Sequence, residues 1–130
     1  MYNVNPYQQY QQNSIKSADR GKLTLILYEN AVKFIKQATK FIEEGKLQEA
    51  HKAIIKSQEI IAYLSDTLNM DYEISNNLYS LYAYMNRRLI EANIKKDRVI
   101  LAEVLALVSD LRETWQEAIR IAAPPVALGL

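Results

Sequence analysis

The chain has 130 residues, enough for one domain that buries a continuous core without a metal or disulfide staple. Sixteen Lys and Arg stand against fifteen Asp and Glu, a formal net charge of +1, which gives no ground for a nucleic-acid or anionic-membrane partner. Cysteine is absent, which fits a reducing compartment and excludes a disulfide framework. The N-terminus is polar and rich in Asn and Gln, unlike a secretory signal peptide, and no apolar run approaches the roughly 20 residues of a bilayer span. The expectation is a soluble cytoplasmic protein without membrane insertion.

The first feature along the chain is Asn5-Pro6-Tyr7-Gln8-Gln9-Tyr10, a proline-anchored aromatic pair on a short polar arm. Nothing local can cover these rings, so Tyr7 and Tyr10 must lie on a surface made by later elements or point at a partner. Residues 1–16 therefore read as an N-terminal arm or cap, 17–122 as a helical body and 123–130 as a tail.

Between Pro6 and Pro124 no proline interrupts the chain. Ser17, followed by Asp19, can cap a first helix running to about Glu44, where Gly45 supplies the left-handed residue that ends it. A second helix is predicted from Leu47 to Leu68 on the recurrence of Ala50, Ile54, Ile61, Leu64 and Leu68. Asn69-Met70-Asp71 breaks it, and Asp71 can cap a third helix with the stripe Ile74, Leu78, Leu81, Met85, Leu89 and Ala92, closed by 93–96. Asp97 can cap a fourth, which carries Ile100, Val104, Leu107, Leu111, Trp115 and Ala118 before Pro124. Short connections favour antiparallel neighbours. The predicted fold is all-α, an antiparallel up-down four-helix bundle with a short N-terminal capping arm.

On a helical wheel the first helix carries a core stripe of Leu23, Leu27, Ala31, Phe34, Ala38 and Phe41, and beside it a second one of Leu25, Tyr28, Val32, Ile35 and Ile42. One core uses an apolar arc of little more than about 100°. Helix one therefore buries two sides: it is central, or its own arm or tail covers the second stripe, or a partner does. Helix four shows a milder version in Leu101, Leu105, Val108 and Ile119. In helix three, Tyr79, Tyr82, Tyr84 and Met85 are crowded together; Tyr82 and Met85 read as core, whereas Tyr79 and Tyr84 lie off the main stripe.

Chemistry-bearing residues are sparse. There is one histidine, no glycine-rich phosphate loop and no Glu-x-x-His pair of the kind that di-iron bundles use. A histidine phosphotransfer domain would need Lys and Gly three and four residues after His51, but Ile54 and Ile55 stand there. His51 reads as a partly exposed structural residue, and Glu43-Glu44 as solvated charge at a helix end. No catalytic, cofactor-binding or metal-binding residue is assigned.

The ordered set of features resembles the flagellar secretion chaperones that hold flagellin before export. The resemblance runs over nearly the whole chain: Asn5 to Tyr10, Ser17-Ala18-Asp19, Leu25 to Tyr28 with Phe34, Lys56 to Ile61 with Leu64 and Leu68, Asn77 to Met85 with Leu89, Ala92, Asn93 and Asp97, then Glu103-Val104, Leu111-Arg112-Glu113 and Trp115. It implies a chaperone that binds the C-terminal amphipathic segment of flagellin, prevents premature polymerisation and delivers it to the flagellar type III export apparatus, with an export-gate component as a further partner. The motif points to Tyr7 and Tyr10 as client-binding residues. The wheel adds Leu25, Tyr28 and Val32 on the first helix, and Leu101, Leu105 and Val108 on the fourth. A competing reading is a self-associating structural or regulatory bundle, whose excess apolar surface forms a homodimer interface.

Overall fold

The computed structural model describes residues 20–121. They form four helices, α1 (Arg20–Glu43), α2 (Leu47–Asp66), α3 (Glu73–Lys95) and α4 (Arg98–Ile121), and no strand is present among the described residues. α1 packs against α2 and α4, and α3 packs against the same two helices, whereas the diagonal pairs do not approach closely. With short connections between consecutive helices, this is an antiparallel up-down four-helix bundle. Tyr7, Tyr10 and the expected first-helix cap at Ser17 and Asp19 lie outside the described residues.

Local chemistry sets each boundary. At the end of α1, Gly45 has φ +73°, its N–H donates to Ile42 O at 3.0 Å, and Lys46 N–H donates to Phe41 O at 2.8 Å. This is a Schellman closure, in which two otherwise orphaned carbonyls are satisfied. α2 stops at Asp66; just past it, Thr67 N–H still donates to Tyr63 O (3.1 Å), and its hydroxyl donates to Tyr63 O (3.0 Å) and Leu64 O (3.2 Å). The expected Asp71 cap is not formed. Asn69 Oδ1 instead accepts from Asp71 N–H at 3.0 Å, an Asx turn that leaves Tyr72 at the N-cap position without a side-chain cap. The buried Ser75 hydroxyl ties that first turn down by donating to Asn69 O at 2.7 Å.

α3 runs to Lys95 and ends on Lys96, which takes the left-handed conformation (φ 50°) at a cost of about 1–2 kcal/mol for a residue with a Cβ. Its ammonium offsets part of that cost by donating to Asn93 O (2.7 Å) and Asn93 Oδ1 (2.9 Å). Asp97 caps α4 as expected, accepting from Val99 N–H at 2.8 Å and Ile100 N–H at 3.3 Å.

The core is aliphatic at its centre. Ala31, Ile35 and Ala38 of α1 meet Ile54, Ile60 and Ile61 of α2, Met85 and Leu89 of α3, and Leu101, Val104 and Val108 of α4, all fully enclosed. Tyr82 and Met85 are in the core, as their spacing predicts, and Tyr79 stands in solvent. Ile74, expected on the core stripe, is 54% exposed in the first turn of α3, and Ser75 takes a buried place beside it.

The two apolar stripes of α1 have two different neighbours. Phe34 and Phe41 lie against Ala53 on the α2 side. Tyr28, on the other stripe, packs edge-on against Trp115 of α4, and Glu43, at the end of the same flank, pairs with Arg98 of α4 at 3.0 Å. The second stripe therefore does not stand bare: a helix inside a four-membered ring has two partners and needs two apolar flanks. The same reason places Leu101 and Val108 deep in the core while Leu107 and Leu111, on the expected main stripe, are only half-buried.

Candidate functional site

The described residues nearest the N-terminal arm form a tightly tied bundle end. Trp115 Nε1 of α4 donates to Gly21 O in the first turn of α1 at 3.0 Å, an enclosed bond that fixes where α1 begins relative to α4. The Tyr28 ring meets the Trp115 indole edge-on, with centroids 6.3 Å apart and planes at 76°. Behind it, the hydroxyls of Tyr28 and Tyr82 lie 2.5 Å apart and join the diagonal helices α1 and α3 through the core.

Burial pushes the Tyr28 phenol up to about 12, against the pull of its hydrogen bond to Tyr82. Burial likewise raises the Tyr82 phenol, and the adjoining Tyr28 hydroxyl adds to the rise. Both groups are neutral at physiological pH, so the bond satisfies two buried hydroxyls without burying a charge. A cavity of about 10 Å³ opens beside the pair, lined by Thr24, Thr67, Leu78 and Trp115 among others.

From this end the α1–α4 seam runs along the bundle. Of the six helical residues expected to contact a client, Tyr28, Val32, Leu101 and Val108 are buried in the core. Leu25 and Leu105 are partly exposed and pack against the core from its edge. Leu25 shares its flank with Val32 seven residues on, and Leu105 shares its flank with Arg98 seven residues back, so both belong to the same seam. Antiparallel pairing sets them about three helical turns apart along it. The structure thus brings together a buried floor of four residues and two apolar edges.

On the opposite side of α4 the chemistry changes. The Tyr84 hydroxyl donates a short hydrogen bond to Glu103 Oε2, and Arg88 Nε donates to Glu103 Oε1 at 2.8 Å. Arg88 also pairs with Glu91 at 2.5 Å, which in turn receives Lys95 at 2.8 Å. The Tyr84 and Arg88 hydrogen bonds hold the Glu103 carboxyl below its ordinary value, and Lys95 does the same first of all for Glu91. The Arg88, Glu91 and Lys95 spacing was open to reading in the sequence, since three- and four-residue steps face one another on a helix. The link to Glu103 and the Tyr28–Tyr82 pair were not, because each joins residues of different helices.

Nothing in the described residues groups three or more His, Cys, Asp or Glu in a way that could hold a metal ion. His51 is exposed, with Nδ1 2.9 Å from Asn93 Nδ2, a contact that links α2 to α3 at the surface. No helix among the described residues is long and apolar enough to cross a membrane.

Comparison with known proteins finds relatives that match over nearly the whole chain. The family described as Flagellar protein FliS matches residues 3–122. The chain is similar to the flagellar secretion chaperone FliS of Bacillus subtilis (strain 168), 46% identical over 116 residues that span 89% of this chain and 87% of that protein. It is also similar to flagellar secretion chaperone FliS of Salmonella typhimurium, 32% identical over 124 residues (90% of this chain, 92% of that one). Flagellar secretion chaperone FliSB of Pseudomonas aeruginosa is 33% identical over 121 residues, 88% of this chain and 96% of that one. On this match over nearly its full length, the chain belongs to the flagellar protein FliS family of flagellar secretion chaperones.

Proposed function

We propose that the protein is a cytoplasmic export chaperone that binds the C-terminal amphipathic segment of flagellin, keeps it from polymerising prematurely and delivers it to the flagellar type III export apparatus, where an export-gate component receives the complex. Family membership supplies the class of activity, and the α1–α4 seam is the observation that carries the surface. Leu25 and Leu105 offer two apolar edges on a floor already shaped by Tyr28, Val32, Leu101 and Val108. An amphipathic helix laid along the seam covers both edges with anchors on one face, the helix-in-groove mode of recognition. The client's ordering cost, several kcal/mol, is offset by a long wrapped contact, which leaves a complex able to form and release without covalent chemistry.

The four floor residues act in this reading by shaping the seam, and touch the client directly only where the edges part. Tyr7 and Tyr10 belong to the arm that enters α1 at Arg20, one residue before the Gly21 carbonyl that Trp115 holds. They act as a cover for part of the seam when no client is present.

Isothermal calorimetry against a peptide of the flagellin C-terminal segment tests the reading. Binding with a large negative heat-capacity change is expected, as apolar surface is buried and the peptide folds. Leu105→Glu should weaken binding while helical circular dichroism is unchanged, and a Tyr7→Ala, Tyr10→Ala double variant should change affinity with the bundle intact. The absence of any binding by the parent protein would remove flagellin as the client.

A further inference from the structure

On the other flank of α1, away from α4, an open groove of about 230 Å³ lies between α1 and α2, lined by Phe34, Gln37, Phe41, Glu49, Lys52, Ala53 and Lys56. Phe34 and Phe41 are the only phenylalanines of the chain, and both sit here at the surface edge of the bundle, half-buried, and not at its centre. Seven residues apart on one helix, they stand about 10 Å from each other, the separation of anchor positions two turns apart on a second helix. The volume falls short of the roughly 300–1,000 Å³ of small-molecule sites, so the groove suits a few side chains presented by a partner helix.

Its rim has a definite charge. Lys52 and Lys56 line it from α2, and Lys33 reaches over the Phe34 ring at 4.9 Å. None of these three lysines is within ion-pair distance of a carboxylate among the described residues, and Glu49 is the one acidic residue lining the groove. In the network between α3 and α4, by contrast, Arg88 is paired with Glu103 and Lys95 with Glu91. An apolar floor with unmatched cations at its edges is complementary to a helix that carries apolar anchors flanked by Asp or Glu.

We propose that the α1–α2 groove is a second docking site, separate from the α1–α4 seam, for an acidic amphipathic helix of a partner protein. Its apolar anchors rest on Phe34 and Phe41, and its carboxylates meet Lys33, Lys52 and Lys56. Because α1 separates the two surfaces, the groove can be occupied while the seam holds a client, which makes α1 a shared wall between two bound helices.

The test uses the full-length chain labelled with 4-fluorophenylalanine, whose two fluorine resonances both report on this groove. The probe is a synthetic helical peptide with Leu at i, i+4 and i+7 and Glu on either side, alongside a second peptide with Lys in place of Glu. The acidic peptide should shift both resonances, and the basic one should not. Lys52→Glu with Lys56→Glu should weaken the acidic peptide about tenfold or more and let the basic peptide bind, since reversing rim charges reverses their complementarity. Circular dichroism on that variant checks that its exposed substitutions leave the bundle folded.

The proposal is overturned if the acidic peptide moves neither resonance, or if both peptides act equally whatever the rim charge. It also fails if the resonances move with protein concentration alone, which would make a second copy the occupant. A spin label on Leu130→Cys, unique in a chain without cysteine, that broadened both resonances would assign the groove to the protein's own tail instead. Flagellin-peptide binding is measured separately by calorimetry, so failure here leaves the seam reading standing.

Discussion

α4 has two seams of opposite character. Toward α1 it meets Tyr28, Val32 and Ile35 with Leu101, Val108 and Trp115, and the contact is hydrocarbon and aromatic almost throughout. Toward α3 it presents Glu103 to Tyr84 and Arg88, and the chain of pairs continues through Glu91 to Lys95. Apart from the exposed Glu43–Arg98 pair at its end, the first seam offers salt little to screen, and it is intolerant of lost volume. The second consists of groups more than a quarter exposed, where solvent screening leaves each pair weak. One helix can thus be held firmly on one flank and aligned on the other, with cohesion and register supplied by different chemistries.

The sharpest way to break the apolar seam is Leu101→Ala. Leu101 is fully enclosed, so truncation should cost about 2–5 kcal/mol, read as a lower urea midpoint with an unchanged slope. A somewhat smaller effect, about 1–3 kcal/mol, is expected for Tyr28→Phe, because the Tyr82 hydroxyl is then buried without a partner. The double variant Tyr28→Phe, Tyr82→Phe should recover much of that loss, and a double-mutant cycle from urea melts measures the difference.

The same pair makes the seam alkali-sensitive. Both phenols titrate higher in the folded protein than the ordinary 10.0, so their contribution is complete below pH 10 and is lost as pH rises through the folded value of Tyr28, about 12. Stability measured from pH 9 to pH 12 should fall in the parent and fall less in the double phenylalanine variant.

The smallest effect belongs to the ionic seam. Glu103→Gln should lower the urea midpoint only slightly and should remove a salt-dependent increment that the parent loses in about 1 M NaCl. Glu103 and Glu91 titrate below the ordinary 4.5 when folded, so their stabilisation is present above pH 4.5 and disappears as pH falls through the lowered values. Acid titration followed by circular dichroism should show a shallower loss in Glu103→Gln. A large cost for this variant at neutral pH and low salt would mean that the two seams differ less than their chemistry suggests.

Periodicity and punctuation carried most of the architecture. Apolar spacing gave the helices, Gly45 and Asp97 gave two of their ends, and short connections gave the up-down order. The Asp71 cap was misplaced because an Asx turn at Asn69 competes for the same stretch, and sequence alone does not rank the two. The candidate surface was harder to read. A wheel shows that α1 has two apolar flanks but not what lies against each, so Tyr28, Val32, Leu101 and Val108 could not be told from Leu25 and Leu105 until the neighbours were in place. Contacts between helices, such as Tyr28 with Tyr82 or Tyr84 with Glu103, leave no local pattern at all.

The bond from Trp115 to the Gly21 carbonyl also gives the protein an optical reporter of its own. Trp115 is the sole tryptophan of the chain, is 8% exposed, and is anchored to Gly21, one residue after Arg20, where α1 begins. Indole emission depends on the polarity and hydrogen bonding around the ring. Any event that lifts the start of α1 away from α4 should therefore change the colour and yield of the protein's intrinsic fluorescence, without a dye, and stopped-flow mixing would time that event directly.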